Sequence, residues 1–225
     1  MGQSVYWLDS EDLRFPPIEY ALDDPNGLIA AGGDLSPQRL LEAYSQGIFP
    51  WYNENDPILW WNPDPRSVVF PAEYKPSTSL KKLIKKQTYH TKINSDFDKV
   101  IHACAAPRKD SDGTWINEDM ISAYKTLHKM GYAHSFETWR EDTLVGGLYG
   151  IAIGKAFFGE SMFSTESNTS KIAFNLLCET LSAHDFKVID CQIHNPHLAS
   201  LGAKEIKRQA FLDILEEAVF EGADK

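Results

Sequence analysis

Three strand-length runs in the second half of the chain, Tyr132–Arg140, Leu144–Ile153 and Ala156–Phe163, follow one another almost without interruption. The polar pairs Glu141-Asp142 and Gly154-Lys155 supply the turns between them. Connections that short join only antiparallel neighbours, because a parallel return needs a crossover of a dozen residues or more. The chain therefore carries an antiparallel meander, and its other elements must pack on or beside it.

Helical patterns surround the meander. Ser77-Thr-Ser79 caps a helix with Leu80, Leu83 and Ile84 on one face and Lys81, Lys82, Lys85 and Lys86 on the other. Asn117 caps a second, with Met120, Ile121, Tyr124, Leu127 and His128 inward, and Gly131 closes it. A helix over about Thr169–His184, a strand over Val188–Ile193 and a last helix over about Arg208–Phe220 follow. This order predicts an α+β fold, a mostly antiparallel central sheet flanked by helices. The first 66 residues read differently. Pro16-Pro17, Pro25-Asn-Gly27, Gly32-Gly33-Asp34 and Pro63-Asp-Pro65 break up regular elements. One helix is signed there, with Ser36 as N-cap, Pro37 at its first position, Leu40, Leu41 and Tyr44 on one face and Gly47 at its end. Two units are expected, a small loop-rich one over 1–66 and a larger one over 67–225.

The 225 residues, 43% apolar and 24% charged, exclude disorder, collagen and coiled coil. No apolar run approaches the ~20 residues that span a bilayer. The start, Met1-Gly-Gln-Ser-Val-Tyr-Trp7, lacks the basic and apolar regions of a secretory signal. Cys104, Cys178 and Cys191 are too few and scattered for a disulfide framework. A cytoplasmic protein with reduced thiols is expected. The net charge of −10 repels phosphate overall. Between Lys75 and Lys92, however, lie six lysines and no acid, which leaves −16 on the rest of the chain. That asymmetry marks a basic patch.

Two clusters bear chemistry. Phe158-Gly-Glu160-Ser-Met162-Phe163 places a carboxylate in an apolar strand. In Ile189-Asp-Cys-Gln-Ile193, strand geometry puts Asp190 and Gln192 on one face about 6.6 Å apart, with Ile189 and Cys191 on the other. Such groups are costly in an apolar strand unless satisfied. A structural hydrogen-bond network is the plain reading, and convergence on one cleft would make a functional one competitive. Cys191, His194 and His197 form C-x2-H-x2-H, but Cys191 should face away and Pro196 breaks the spacing, so no metal site is expected. There is no phosphate-binding P-loop, and Gly146-Gly147 with Gly150 lies between hairpin strands, not ahead of a helix. Trp51, Tyr52, Trp60, Trp61 and Trp115 occupy loop-like contexts beside Pro or Gly, either as packing or as platforms for an unpaired base. The lysine face with exposed tryptophans favours an RNA end as ligand.

Pro25-Asn-Gly-Leu28, Gly32-Gly-Asp-Leu-Ser36, Gly47-Ile-Phe-Pro-Trp51, Leu59-Trp-Trp-Asn-Pro-Asp-Pro-Arg66, Gly113-Thr-Trp-Ile116, His134-Ser-Phe-Glu137, Gly159-Glu-Ser-Met-Phe-Ser164 and Asp190-Cys-Gln192 together resemble the bacterial leucyl/phenylalanyl-tRNA–protein transferases. The resemblance implies a small N-terminal domain followed by a GNAT-like domain. It implies transfer of Leu or Phe, with Met a third candidate, from aminoacyl-tRNA to the N-terminal Arg or Lys of a protein, marking it for degradation, without cofactor or metal. By motif it places catalytic groups at Asp190, Gln192 and Glu160. Its aminoacyl-adenosine site falls on Tyr44, Trp51, Trp115, Tyr124 and Asn195. Its apolar side-chain pocket falls on Leu148, Phe157, Met162, Phe174, Leu177 and Ile189, and its tRNA-binding helix on Lys81, Lys82, Lys85 and Lys86. Two other readings remain at this stage. An acetyl-CoA-dependent GNAT acetyltransferase would want glycines in the phosphate-binding turn, where the chain has Ser164-Thr-Glu-Ser-Asn-Thr-Ser170. A non-catalytic RNA 3′-end-binding module leaves Asp190 and Gln192 unexplained.

Overall fold

The computed structural model describes residues 5–106 and 116–220, except the side chain of residue 220. A first sheet comes from strands β1 (Tyr6–Leu8), β2 (Leu28–Gly32), β3 (Phe49–Pro50) and β4 (Leu59–Trp61), with helix α1 (Pro37–Ser45) between β2 and β3. Its strand order is β1-β2-β4-β3. Helix α1 begins as its cap predicts: Ser36 Oγ accepts the Arg39 amide. Trp60 and Trp61, read as loop residues, lie in β4, and Trp60 is buried with its indole N–H on the Gly32 carbonyl at 2.9 Å.

The chain then builds β5 (Arg66–Val69), α2 (Thr78–Lys85), β6 (His90–Ile93), α3 (Phe97–Ala105), α4 (Glu118–Lys129), β7 (Ala133–Arg140), β8 (Thr143–Ile153), β9 (Ala156–Ser164), α5 (Thr169–Ala183), β10 (Val188–Gln192), α6 (Pro196–Ser200), β11 (Lys204–Ile206) and α7 (Arg208–Phe220). The seven strands form one sheet in the order β11-β5-β10-β9-β8-β7-β6. The expected meander is β7-β8-β9, and the α+β architecture is as read from the sequence. Every pairing in this sheet is antiparallel except β9 with β10. That exception positions the site.

The sheet is the middle layer. Val68, Tyr149, Ile151, Phe158 and Val188 pack on one face in a cluster with residues of α1, α3, α4 and α7. Val69, Phe136, Leu148, Phe157, Ile189 and Cys191 pack on the other beneath Phe174, Leu177 and Cys178 of α5. The alternation of Ile189 and Cys191 against Asp190 therefore holds. Helix α2 flanks α5 with Leu80 buried and Lys81, Lys82, Lys85 and Lys86 exposed. Among the described residues no helix is long and apolar enough to cross a membrane.

Candidate active site

Pairing of β9 with β10 covers only Ala156–Phe158 against Val188–Asp190. A bulge follows on each strand. On β9, Tyr149 of β8 pairs with Ser161 and Gly150 with Gly159, so Glu160 is an extra residue. On β10, Asp190 pairs with Val68 of β5 and Gln192 with Ser67, so Cys191 is the extra one. Gln192 also adopts a left-handed backbone, with φ at 63°. A bulge re-aims a side chain, and here two adjacent bulges turn Glu160 and Gln192 toward each other. The Gln192 amide nitrogen donates to Glu160 Oε1 at 3.1 Å, and no described residue donates to the amide oxygen.

The β9 bulge depends on a glycine. A Cβ at Gly150 would lie 2.2 Å from the Phe158 carbonyl oxygen and 2.6 Å from the Phe157 ring. Backbone cannot yield as a flexible side chain can. Gly150→Ala should therefore destabilise the protein by about 3 kcal/mol, read as a lowered thermal midpoint. A wild-type midpoint would show that the bulge tolerates a side chain there.

Glu160 sits at the boundary of the interior, 9% exposed. Tyr44 from α1 donates to its Oε1 at 2.7 Å, and Tyr124 from α4 to its Oε2 at 2.9 Å. The two phenol oxygens lie 2.5 Å apart. Each phenol has one proton. With both given to an ionised Glu160, none remains for the phenol–phenol contact. A proton on Glu160 frees one phenol to donate to the other, so the geometry favours the acid form. Burial acts in the same direction and is the largest cause of a Glu160 pKa pushed up to about 7. The phenol hydrogen bonds oppose it, the nearby charge of Asp190 adds to it, and the Gln192 amide opposes it weakly. Burial and the Glu160 charge hold Tyr44, Tyr124 and Tyr149 well above the ordinary phenol value. The phenols are neutral donors at any working pH.

Asp190 requires a correction. Strand periodicity placed it on one face with Gln192, and the resemblance gave it a catalytic role. It is fully buried, gripped through both oxygens by Arg66 at 2.7 Å each. Its link to Gln192 runs through backbone: Asp190 Oδ1 accepts the Gln192 N–H at 2.9 Å. Arg66, which the sequence reading left without a role, is the missing member of the site.

Tyr44 and Tyr124 also differ from expectation. Their rings are fully buried, so they offer hydroxyls to Glu160 and no face to a base. Trp51 does offer a face, being 44% exposed with its ring edge-on to Trp61 at 5.8 Å. Trp115 lies outside the described residues. Asn195 is exposed and caps α6 by accepting the Leu198 amide at 2.8 Å. Leu148, Phe157 and Ile189 of the sheet meet Phe174 and Leu177 of α5 as a packed layer, with the half-buried Met162 at its margin. That layer lies on the far face of the sheet from Glu160, and β9 and β10 cease to pair beyond Phe158 and Asp190, which leaves a gap in the ladder there. Cys191 faces the apolar layer, whereas His194 is exposed with Nδ1 4.0 Å from Glu205. Glu137 of the His134-Ser-Phe-Glu137 block is structural: it accepts from the Ser95 and Asp96 amides, the Ser135 hydroxyl and the Trp139 indole at 2.8–2.9 Å.

A neutral-range carboxyl, two phenols and a carboxamide where two strands cease to pair suit the positioning of two reactants for acyl transfer to an amine. The comparisons with known proteins agree. The family model described as leucyl/phenylalanyl-tRNA protein transferase matches residues 68–216, and the model of that family's N-terminal domain matches residues 33–64. A leucyl/phenylalanyl-tRNA–protein transferase of Nitrosospira multiformis is 60% identical over 215 residues, 96% of this chain and 92% of that protein. One of Pseudomonas fluorescens is 57% identical over 209 residues, 93% of this chain and 92% of that protein. Among solved structures, L-PGS from Bacillus licheniformis aligns with a TM-score of 0.43 at 9% identity, over 84% of this chain and 64% of that one. A GCN5-related N-acetyltransferase-like protein from Streptococcus suis aligns at 0.36 and 12% identity, over 74% and 62%. The chain is an aminoacyltransferase. It belongs to the leucyl/phenylalanyl-tRNA–protein transferase family.

Proposed function

We propose that this protein moves Leu or Phe, and in the same pocket Met, from charged tRNA to the N-terminal Arg or Lys of an acceptor protein in the cytoplasm, marking the acceptor for degradation. The observation that carries the reading is the Gln192–Glu160 contact at the mouth of the strand gap, backed by Tyr44 and Tyr124. The aminoacyl ester is already activated, so its aminolysis requires no nucleotide hydrolysis. The acceptor's α-nitrogen bonds to the ester carbonyl carbon. The bond from that carbon to the ribose oxygen breaks, and the surplus amine proton ends on the departing ribose hydroxyl. An α-amine with a pKa of roughly 7.7–8.0 is partly neutral at pH 7. The protein's task is then to hold amine and ester together, worth up to about 7–11 kcal/mol in well-aligned cases.

Each group has a role in this reading. The Gln192 amide oxygen accepts an N–H of the attacking amine. Ionised Glu160 favours the cationic charge that develops there and binds the α-ammonium of the transferred residue. The apolar side chain enters the gap toward Met162 and the layer of Leu148, Phe157, Phe174, Leu177 and Ile189. Trp51 stacks on the terminal adenine. The net charge of −10 attracts a cationic acceptor.

Incubation with Leu-tRNA and a peptide beginning with Arg should yield the Leu-Arg product by mass. Acetylated peptide formed from acetyl-CoA, or tRNA binding without product, would replace this reading. The four lysines of α2 and its cap supply the phosphate contacts. Changing Lys81, Lys82, Lys85 and Lys86 together to Ala should weaken tRNA binding at least tenfold. The same change should reduce the slope of log affinity against log salt by up to about 3. Unchanged affinity and slope would make that helix face merely solvated.

A further inference from the structure

Arg66 is fully buried, and its reach is spent inside the protein. Its Nε and Nη2 each lie 2.7 Å from an oxygen of Asp190. The guanidinium carbon lies 4.9 Å from the Phe49 ring centre and 4.7 Å from that of Phe211. Its Nη1 has no partner among the described residues. One guanidinium thus ties β3 of the first sheet, α7 at the chain's end and the strand carrying Gln192.

We infer that Arg66 is a positioning residue for the transfer reaction, setting the Gln192 amide through Asp190. A bidentate guanidinium–carboxylate pair has a single favourable orientation. The two rings leave this guanidinium no other. Asp190, so fixed, presents Oδ1 to the Gln192 N–H at 2.9 Å. That bond holds Gln192 in a left-handed conformation, φ 63°, that non-glycine residues rarely adopt. The held backbone in turn aims the side-chain nitrogen at Glu160. Asp190 works behind the reactants, as a link in this chain. Without Arg66 its buried charge is uncompensated and loses the fork that fixes its orientation. Oδ1 is then no longer held in place for the Gln192 amide, and the bulge relaxes. A lysine would keep the charge and lose the fork.

The inference rests on the proposed transfer, and its test separates the two: absence of product from the wild type refutes the transfer, whereas only the variants judge Arg66. Arg66→Lys and Arg66→Met are assayed with Leu-tRNA and the Arg peptide, each below its own melting temperature. We expect kcat to fall at least tenfold in both, with KM for Leu-tRNA within about twofold of the wild type. Arg39→Met is the matched control. Arg39 is equally buried, held by Asp34 and by the carbonyls of Asp9 and Asp12, and should lose stability with kcat unchanged. The inference is overturned by Arg66 variants that keep wild-type kcat, or that raise KM alone. It is also overturned if Arg39→Met loses kcat equally with the same KM. If Arg66→Met does not fold, Arg66→Lys, which retains the buried charge, decides alone.

Discussion

Gln192→Ala loses about 100-fold or more in single-turnover rate with saturating Leu-tRNA, while tRNA affinity changes by no more than about twofold. The carboxamide is the polar group at the gap whose acceptor oxygen no described residue occupies. Removing one preorganised hydrogen-bonding group from a transition state costs about 10²–10³ in rate. The tRNA affinity is spared under the proposed contacts, in which the α2 lysines and Trp51 hold other parts of that ligand. Gln192→Gly sharpens the result. Glycine is at ease at φ 63°, so it relieves the backbone and removes the amide. Rapid-quench measurement of the Leu-Arg product should find both variants equally slow. A fast Gln192→Gly enzyme would mean that the side chain is dispensable and only the turn matters.

The second large effect concerns Glu160. Its carboxyl titrates at about 7 in the folded protein and near 4.5 when free. Between these values the folded state binds more protons than the unfolded one. Stability therefore falls as pH rises from about 4.5 to about 7 and stays reduced above. The full difference is at most about 3 kcal/mol. Glu160→Gln removes that cost and retains an acceptor for a phenol. Relative to the wild type, the variant should melt higher at pH 8 than at pH 5. Its turnover should fall about 100-fold, because a carboxamide cannot favour the amine's positive charge. The wild-type kcat/KM should rise through pH 7, ahead of the acceptor amine's own ionisation, and the variant should lack that step. Thermal melts across the range decide it. A variant less stable than the wild type at pH 8 and equal to it at pH 5 would place the Glu160 pKa low.

Much of the fold was legible because its signals are local. Ser36, Ser77 and Asn117 each accept the amide three residues on, as their helices require. Helix α3 carried equally local signals, Asp96 as cap and Phe97, Val100, Ile101 and Cys104 on one face, and these went unread. Strand β5 could not be read this way. It has four residues, follows a proline and begins with a charge that only burial against Asp190 explains. Edge strand β6 is exposed along its length and so has no apolar alternation to show.

The site divides along the same line. The sequence alone determined which strands carry Glu160 and Gln192, that Ile189 and Cys191 oppose Asp190, and that α2 turns its lysines outward. Caps, turns and periodicity act over a few residues, and a linear reading sees that far. The tertiary structure alone decided that Asp190 is sealed behind Arg66, 124 positions away, and that Tyr44, 116 positions from Glu160, gives it a hydroxyl and not a ring face. It also decided that two bulges bring Glu160 to Gln192 and that the carboxyl titrates near neutrality. Desolvation and hydrogen bonding depend on which distant groups arrive at one point, a property of packing that no local pattern encodes.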